Sequence, residues 1–129
     1  MLISSMNDPI NILLAGRSKW AADVFREVLA AHGCRVIEPG CGFTPLVIGH
    51  SFPGEIDLLI VEVDYEEPDK GETLAANLRV LRPRMRALYF TVEYGTILVG
   101  SESDLSDAKE FTPAGLLKEV PALFDSVAA

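Results

Sequence analysis

Residues 57–63, Asp-Leu-Leu-Ile-Val-Glu-Val, are the stretch that decides the fold. Leu58, Leu59, Ile60 and Val61 follow one another without a polar break, which is typical of a strand buried on both faces. Such a strand belongs to a parallel sheet that helices cover on both sides. The sequence on either side should therefore alternate between strands and helices.

The flanking sequence follows this alternation. Apolar runs predict further strands at residues 10–15, 34–38 and 87–92. Helical spacing of apolar residues predicts three helices, which begin after Ser18, at Asp69 and after Thr112. Residues 40–54 are ambiguous, because prolines and glycines leave room only for a short helix. Residues 93–107 are weakly patterned and predict at most one helical turn around Ile97 and a polar fifth strand.

This order of elements predicts one α/β domain over residues 9–127, preceded by an N-terminal tail at residues 1–8. The expected architecture is a flavodoxin-like, doubly wound, five-stranded parallel sheet of order 2-1-3-4-5. The fourth helix is expected to be short or degenerate. In such folds ligands bind at the carboxyl ends of the strands, so functional residues are expected there.

Composition excludes several function classes. The formal net charge of −8 argues against a nucleic-acid partner, and the clustered arginines 79, 82, 84 and 86 lie at a helix end where cations suit the dipole. No apolar run approaches the roughly 20 residues of a membrane span. Cys34 and Cys41 have no metal-ligand spacing. We therefore expect a cytoplasmic protein with neither nucleic acid nor membrane as a partner.

Four short motifs, taken in order, carry a family resemblance. They are residues 57–63, Asp69-Lys70-Gly71, Thr91 at the end of the predicted fourth strand, and Lys-Glu-Phe-Thr-Pro at residues 109–113. Together they resemble the receiver domain of two-component response regulators over nearly the whole chain. The resemblance implies that residue 62 occupies the position of the phosphoacceptor and that Thr91 and Lys109 are its switch partners.

The departures from the receiver pattern concern the phosphorylation chemistry itself. Receivers hold Mg²⁺ with an acidic pair after the first strand, but Ala15, Gly16 and Arg17 stand there and supply no carboxylate. Glu62 replaces the phosphoacceptor aspartate and carries its carboxylate one methylene further out. In-line phosphoryl transfer depends on positioning and on metal charge, so we expect neither phosphorylation nor a cofactor, and Mg²⁺ binding should be poor.

Two interpretations of Glu62 remain open at this point. Glu62 could mimic a phosphorylated aspartate, with Lys109 paired to it and Thr91 held inward. Alternatively, Lys109 and Arg17 could simply neutralise a buried carboxylate.

Other residues offer alternative sites. Asp64 is a second candidate phosphoacceptor, and the acidic run of Asp64, Glu66, Glu67 and Asp69 could replace the lost metal site. Gly16, Arg17 and the first amides of the following helix could hold an anion.

The sequence favours a non-enzymatic, pseudo-receiver signalling domain that acts through protein–protein contacts. Its expected partner is a histidine kinase or a downstream signalling protein, and a homodimer is a further arrangement. The expected contact surfaces are the first and last helices, at Val24, Phe25, Leu116, Leu117 and Val120, although most of these side chains are expected to be core residues. The alternatives are a single-domain response regulator that is still phosphorylated, and a small-anion or nucleotide-binding α/β protein.

Overall fold

One mixed β-sheet organises the chain in the computed structural model, which describes residues 10–39, 45–63, 66–67 and 69–111. Its strands lie in the order β2-β1-β3-β4-β5-β6. Their bounds are β1 Asn11–Ala15, β2 Arg35–Ile37, β3 Leu58–Glu62, β4 Arg86–Glu93, β5 Thr96–Gly100 and β6 Lys109–Phe111. The first four pair in parallel, as the unbroken apolar runs predict.

Three helices connect the parallel strands in the described part of the chain: α1 Lys19–Ala31, α2 Pro45–Ser51 and α3 Asp69–Leu81. The hydroxyl oxygen of Ser18 caps α1 by accepting a hydrogen bond from the Ala21 amide at 3.3 Å. The predicted start of α3 at Asp69 is confirmed. The predicted tail and the predicted last helix, which begins after Thr112, lie outside the described residues.

Two apolar layers cover the two faces of the sheet. Phe25 of α1 is buried, and its ring makes an edge-to-face contact with Phe90 of β4 at a centroid distance of 5.0 Å. On the opposite face Leu78 of α3 is fully buried among side chains from β1, β3 and β4. Successive residues of each strand contribute to alternate layers. The parallel core flanked by helices on both faces confirms the predicted fold class.

The end of the sheet corrects the prediction in two respects. The sheet has six strands in the described residues rather than five, and β5 runs antiparallel to both neighbours, so the sheet is mixed. Ile97, expected in a helical turn, is instead a fully buried residue of β5. No fourth helix joins β4 to β5.

A two-residue turn explains the antiparallel pairing. Tyr94 and Gly95 both have positive φ, at 50° and 75°, as in a type I′ hairpin turn. A parallel pairing needs a crossover of about a dozen residues or more. The two residues between β4 and β5 can therefore only reverse the chain.

Candidate functional site

Glu62 ends β3, and its carboxylate is held by backbone amides of the segment that leads into α1. Its Oε1 accepts hydrogen bonds from the Arg17 amide at 2.8 Å and from the Ser18 amide at 2.9 Å. Ser18 is the N-cap of α1, so the carboxylate lies at the positive end of the helix dipole. Backbone amides of the segment between β1 and α1 thus stabilise the Glu62 carboxylate.

Gly16 makes this approach of Glu62 feasible. A Cβ atom at position 16 would lie 2.8 Å from Glu62 Oε1 and 3.1 Å from Cζ of Phe90. Those distances are shorter than ordinary van der Waals contact. Only glycine therefore leaves the carboxylate of Glu62 in place without displacing a neighbour.

The expected anion site at Gly16 and Arg17 is occupied from within the chain. The amides proposed to hold a free anion already donate to Glu62 Oε1. The sequence signal for anion binding was physically sound, since helix N-termini attract negative charge. It did not reveal that a carboxylate from β3 supplies the charge.

Lys109 does not lie where a pair with Glu62 requires it. The register of the sheet runs from Glu62 to Phe90, then to Val99, then to Lys109. Neighbouring strands are about 4.8 Å apart, so three steps separate the two backbones by about 14 Å. Lys109 is also exposed. The expected pairing of Lys109 with Glu62 is therefore corrected: the extra strand β5 separates them.

Thr91 is inward-facing, as expected, but it lies on the other face of β4 from the Glu62 carboxylate. Thr91 is only 3% exposed. Its neighbour Phe90 is paired with Glu62 and packs on the α1 side, and alternation along the strand turns Thr91 towards the α3 side. Both residues still border one cavity at the carboxyl ends of the strands, together with Gly16 and Arg17.

The substitute metal site is not formed by the described residues. Asp64 lies outside them. Glu67 makes an ion pair with Lys70 of α3 at 3.5 Å. No group of three His, Cys, Asp or Glu side chains in the described ranges is arranged to hold a metal ion. With no carboxylate at residues 15–17 and with Glu62 Oε1 taken by amides, these residues do not fit the magnesium site of a receiver.

The arginines at the end of α3 have structural roles that sequence reasoning missed. The guanidinium of Arg82 donates to the carbonyl oxygens of Gly49 at 3.0 Å, of Phe52 at 2.6 Å and of Gly54. Arg79 Nε donates to the carbonyl of Met85 at 3.5 Å. Arg82 thus fastens the α2–β3 connection to α3.

Burial of the two α1 residues agrees with the expectation that most residues of the contact surface belong to the core. Val24 and Phe25 are 9% and 1% exposed, so they are core residues. Leu116, Leu117 and Val120 lie outside the described residues. Trp20, at the start of α1, is 42% exposed.

None of the described helices has the length and apolarity needed to cross a membrane.

The comparisons with known proteins support the fold. No protein-family model matches the sequence, and no curated protein matches it either. The structure is similar to that of a response regulator from Thermotoga maritima, with a TM-score of 0.63 and 16% sequence identity. The match covers 92% of this chain and 99% of that one. The chain therefore has a receiver-like fold.

Proposed function

We propose that this chain is a receiver-like signalling domain that acts without phosphorylation, through contacts with a protein partner. The observation that carries the proposal is the position of the Glu62 carboxylate on the amides of Arg17 and Ser18. The side chain of Glu62 is thereby held at the position that corresponds to the phosphoacceptor.

The surroundings of Glu62 argue against phosphoryl transfer. A phosphoryl acceptor needs a carboxylate oxygen in line with the donor and a cation to offset charge in the transition state. Glu62 Oε1 is engaged by two amides, Lys109 lies about 14 Å away across three strand spacings, and residues 15–17 bring no metal ligand. Within the described residues, neither the positioning nor the charge compensation of a phosphoryl acceptor is formed, which supports the proposal.

A fixed charge at this position suits a domain with one permanent state. Receivers with a switch alternate between two arrangements of the Thr and Lys partners around the phosphorylated residue. Here Thr91 faces the α3 side of β4 and Lys109 lies beyond β5, so neither can respond to a change at Glu62 by the same movement. The partner would then recognise a constitutive surface. A histidine kinase and a downstream signalling protein remain the two partner classes.

The test is incubation with Mg²⁺ and acetyl phosphate, followed by intact-mass spectrometry of the wild-type chain and of Glu62→Gln. We expect no phosphoryl adduct on either protein. A stoichiometric adduct on the wild-type chain would overturn the proposal. Loss of that adduct in Glu62→Gln would assign it to Glu62, and its persistence would point to the Asp64 loop.

A measurement of partner affinity is the second part of the test. Once a partner is captured, its affinity should be the same before and after treatment with acetyl phosphate. Glu62→Gln keeps the size of the side chain and an acceptor oxygen, so it separates the charge from the packing. A partner that binds only the treated protein would show that phosphorylation controls the domain after all.

A further inference from the structure

A cavity of about 830 Å³ opens at the carboxyl ends of β1, β3 and β4. Its walls come from these three strands, from α3 and from the start of α2. This volume lies within the range of roughly 300–1,000 Å³ that is usual for pockets that bind small organic ligands. The location is also the one where open α/β sheets bind ligands.

Thr91 supplies a buried polar group in this cavity. Its side chain is 3% exposed and lines the cavity wall. The buried side-chain polar atoms that lack a hydrogen-bond partner in the described residues do not include the Thr91 hydroxyl. Thr91 instead borders the cavity, where an occupant can exchange a hydrogen bond with its hydroxyl.

The remaining lining of the cavity combines apolar and neutral polar side chains. Apolar side chains from the strands and helices form much of the wall: Ala15, Val61, Val63, Leu46 and Leu74. Thr73 and Asn77 of α3 add neutral polar groups. A few convergent polar groups in an apolar enclosure are typical of a site for an organic molecule.

The charges around the cavity argue against an anionic ligand. Among the described lining residues, Glu38, Glu62 and Glu66 supply carboxylates, and Arg17 and Lys70 supply cations. Glu38 makes an ion pair with Arg26 at 2.8 Å, Lys70 makes one with Glu67, and the Arg17 and Ser18 amides donate to Glu62. These groups already have partners within the chain, which favours an uncharged ligand.

We propose that the cavity binds a small, uncharged, mostly apolar organic molecule whose hydroxyl or carbonyl group hydrogen-bonds to Thr91. The apolar part of the ligand would lie against the strand and helix side chains, and its polar group would meet the Thr91 hydroxyl. This inference is independent of the proposed function, since it holds whether or not the chain accepts phosphate.

The test compares phenol with toluene, which has a methyl group in place of the hydroxyl of phenol, on the wild-type chain and on Thr91→Val. Titrations are followed through amide chemical shifts in ¹H–¹⁵N spectra. Valine has nearly the shape of threonine, so the fold is expected to persist, and the unchanged spectrum far from the cavity checks this. We expect Thr91→Val to weaken phenol binding by roughly 3- to 10-fold and to leave toluene binding within about 2-fold.

Leu74→Trp provides a second variant, because Leu74 is half-buried on α3 and a larger ring there fills the cavity. Both probes should lose binding to it. The proposal is overturned if neither probe shifts the amides of the lining residues in the wild-type chain. It is also overturned if phenol binds the wild-type chain and Thr91→Val equally well.

Discussion

The two halves of the sheet differ in strand direction and in the segments that connect their strands. In the parallel half, β2-β1-β3-β4, a helix lies between each strand and the next along the chain, and Gly16, Arg17 and Glu62 lie at the carboxyl ends of the strands. In the antiparallel half, β4-β5-β6, a two-residue turn and the loop 101–108 make the connections. The first half preserves the receiver frame. In the second half, β5 lies between β4 and β6 and so separates Lys109 from Glu62 by three strand spacings.

The largest expected effect tests whether both halves belong to one core. Ile60 in β3 and Ile97 in β5 are 1% and 0% exposed. Truncation of either to alanine removes fully buried methyl groups and leaves a cavity, so each should lower the free energy of unfolding by about 2–5 kcal/mol. Urea denaturation of Ile60→Ala and Ile97→Ala measures this directly.

Leu98→Ala is the control within β5, because Leu98 is only half-buried. Its cost should be clearly smaller than that of Ile97→Ala. If Ile97→Ala costs no more than Leu98→Ala, the antiparallel half is an appendage and not part of the core.

Arg82 tests how the parallel half is held together around α2. Its guanidinium donates to three backbone carbonyls, those of Gly49, Phe52 and Gly54. Arg82→Met keeps much of the side-chain length and removes the donors, so we expect a loss of about 2–3 kcal/mol. Arg84→Met is the matched control, since Arg84 is exposed and should change the urea midpoint little. Equal effects of the two substitutions would contradict a role for the carbonyl contacts.

The parallel half was predictable from sequence because its signals are local. The unbroken apolar run at residues 58–61 predicts a buried strand, and the apolar spacing of residues 69–81 predicts a helix. The antiparallel half was not predicted, although Tyr94-Gly95 stands between two apolar runs. Tyrosine is an uncommon residue at positive φ, so the turn lacked the usual Asn-Gly signature.

The site was predictable only in part, because its geometry depends on contacts between residues far apart in the sequence. The end of β3 and the start of α1 were expected to meet, since carboxyl ends of parallel strands share one edge. The hydrogen bonds of Glu62 to backbone amides, and the distance of Lys109, depend on long-range register. One inserted strand changes that register without changing any short motif.

Substitutions at the two adjacent residues of the hairpin turn should change the stability of the fold in opposite directions. Tyr94 has φ of 50°, where asparagine is better tolerated, so Tyr94→Asn should stabilise the fold by about 0.5–1 kcal/mol. Gly95 has φ of 75°, where a Cβ atom is strained, so Gly95→Ala should destabilise it by about 1 kcal/mol. Thermal unfolding of the two variants measures both. Changes of the same sign would mean that the turn is not of type I′.

The smallest expected effect concerns acid stability of the antiparallel half. Asp107, just before β6, accepts hydrogen bonds from the hydroxyl and amide of Ser101 and from the amide of Glu102, and the Ser101 hydroxyl bond is the main cause that lowers its pKa. Because its folded-state pKa is lowered, the carboxylate stabilises the fold fully above its ordinary pKa. That contribution is lost as the pH falls through the lowered value.

The acid limb is the part of the stability curve below about pH 5, where the urea midpoint falls as the pH decreases. In Asp107→Asn this fall should be smaller than in the wild-type chain, as measured by urea midpoints at a series of pH values. Ser101→Ala removes the hydroxyl donor and should flatten the same limb by less, because the two amides remain. Solvent screening keeps both effects modest, since Asp107 is exposed. Acid limbs of equal slope in the wild-type chain and Asp107→Asn would place the acid-sensitive groups elsewhere. The loop of the antiparallel half would then hold its shape without the charge of Asp107.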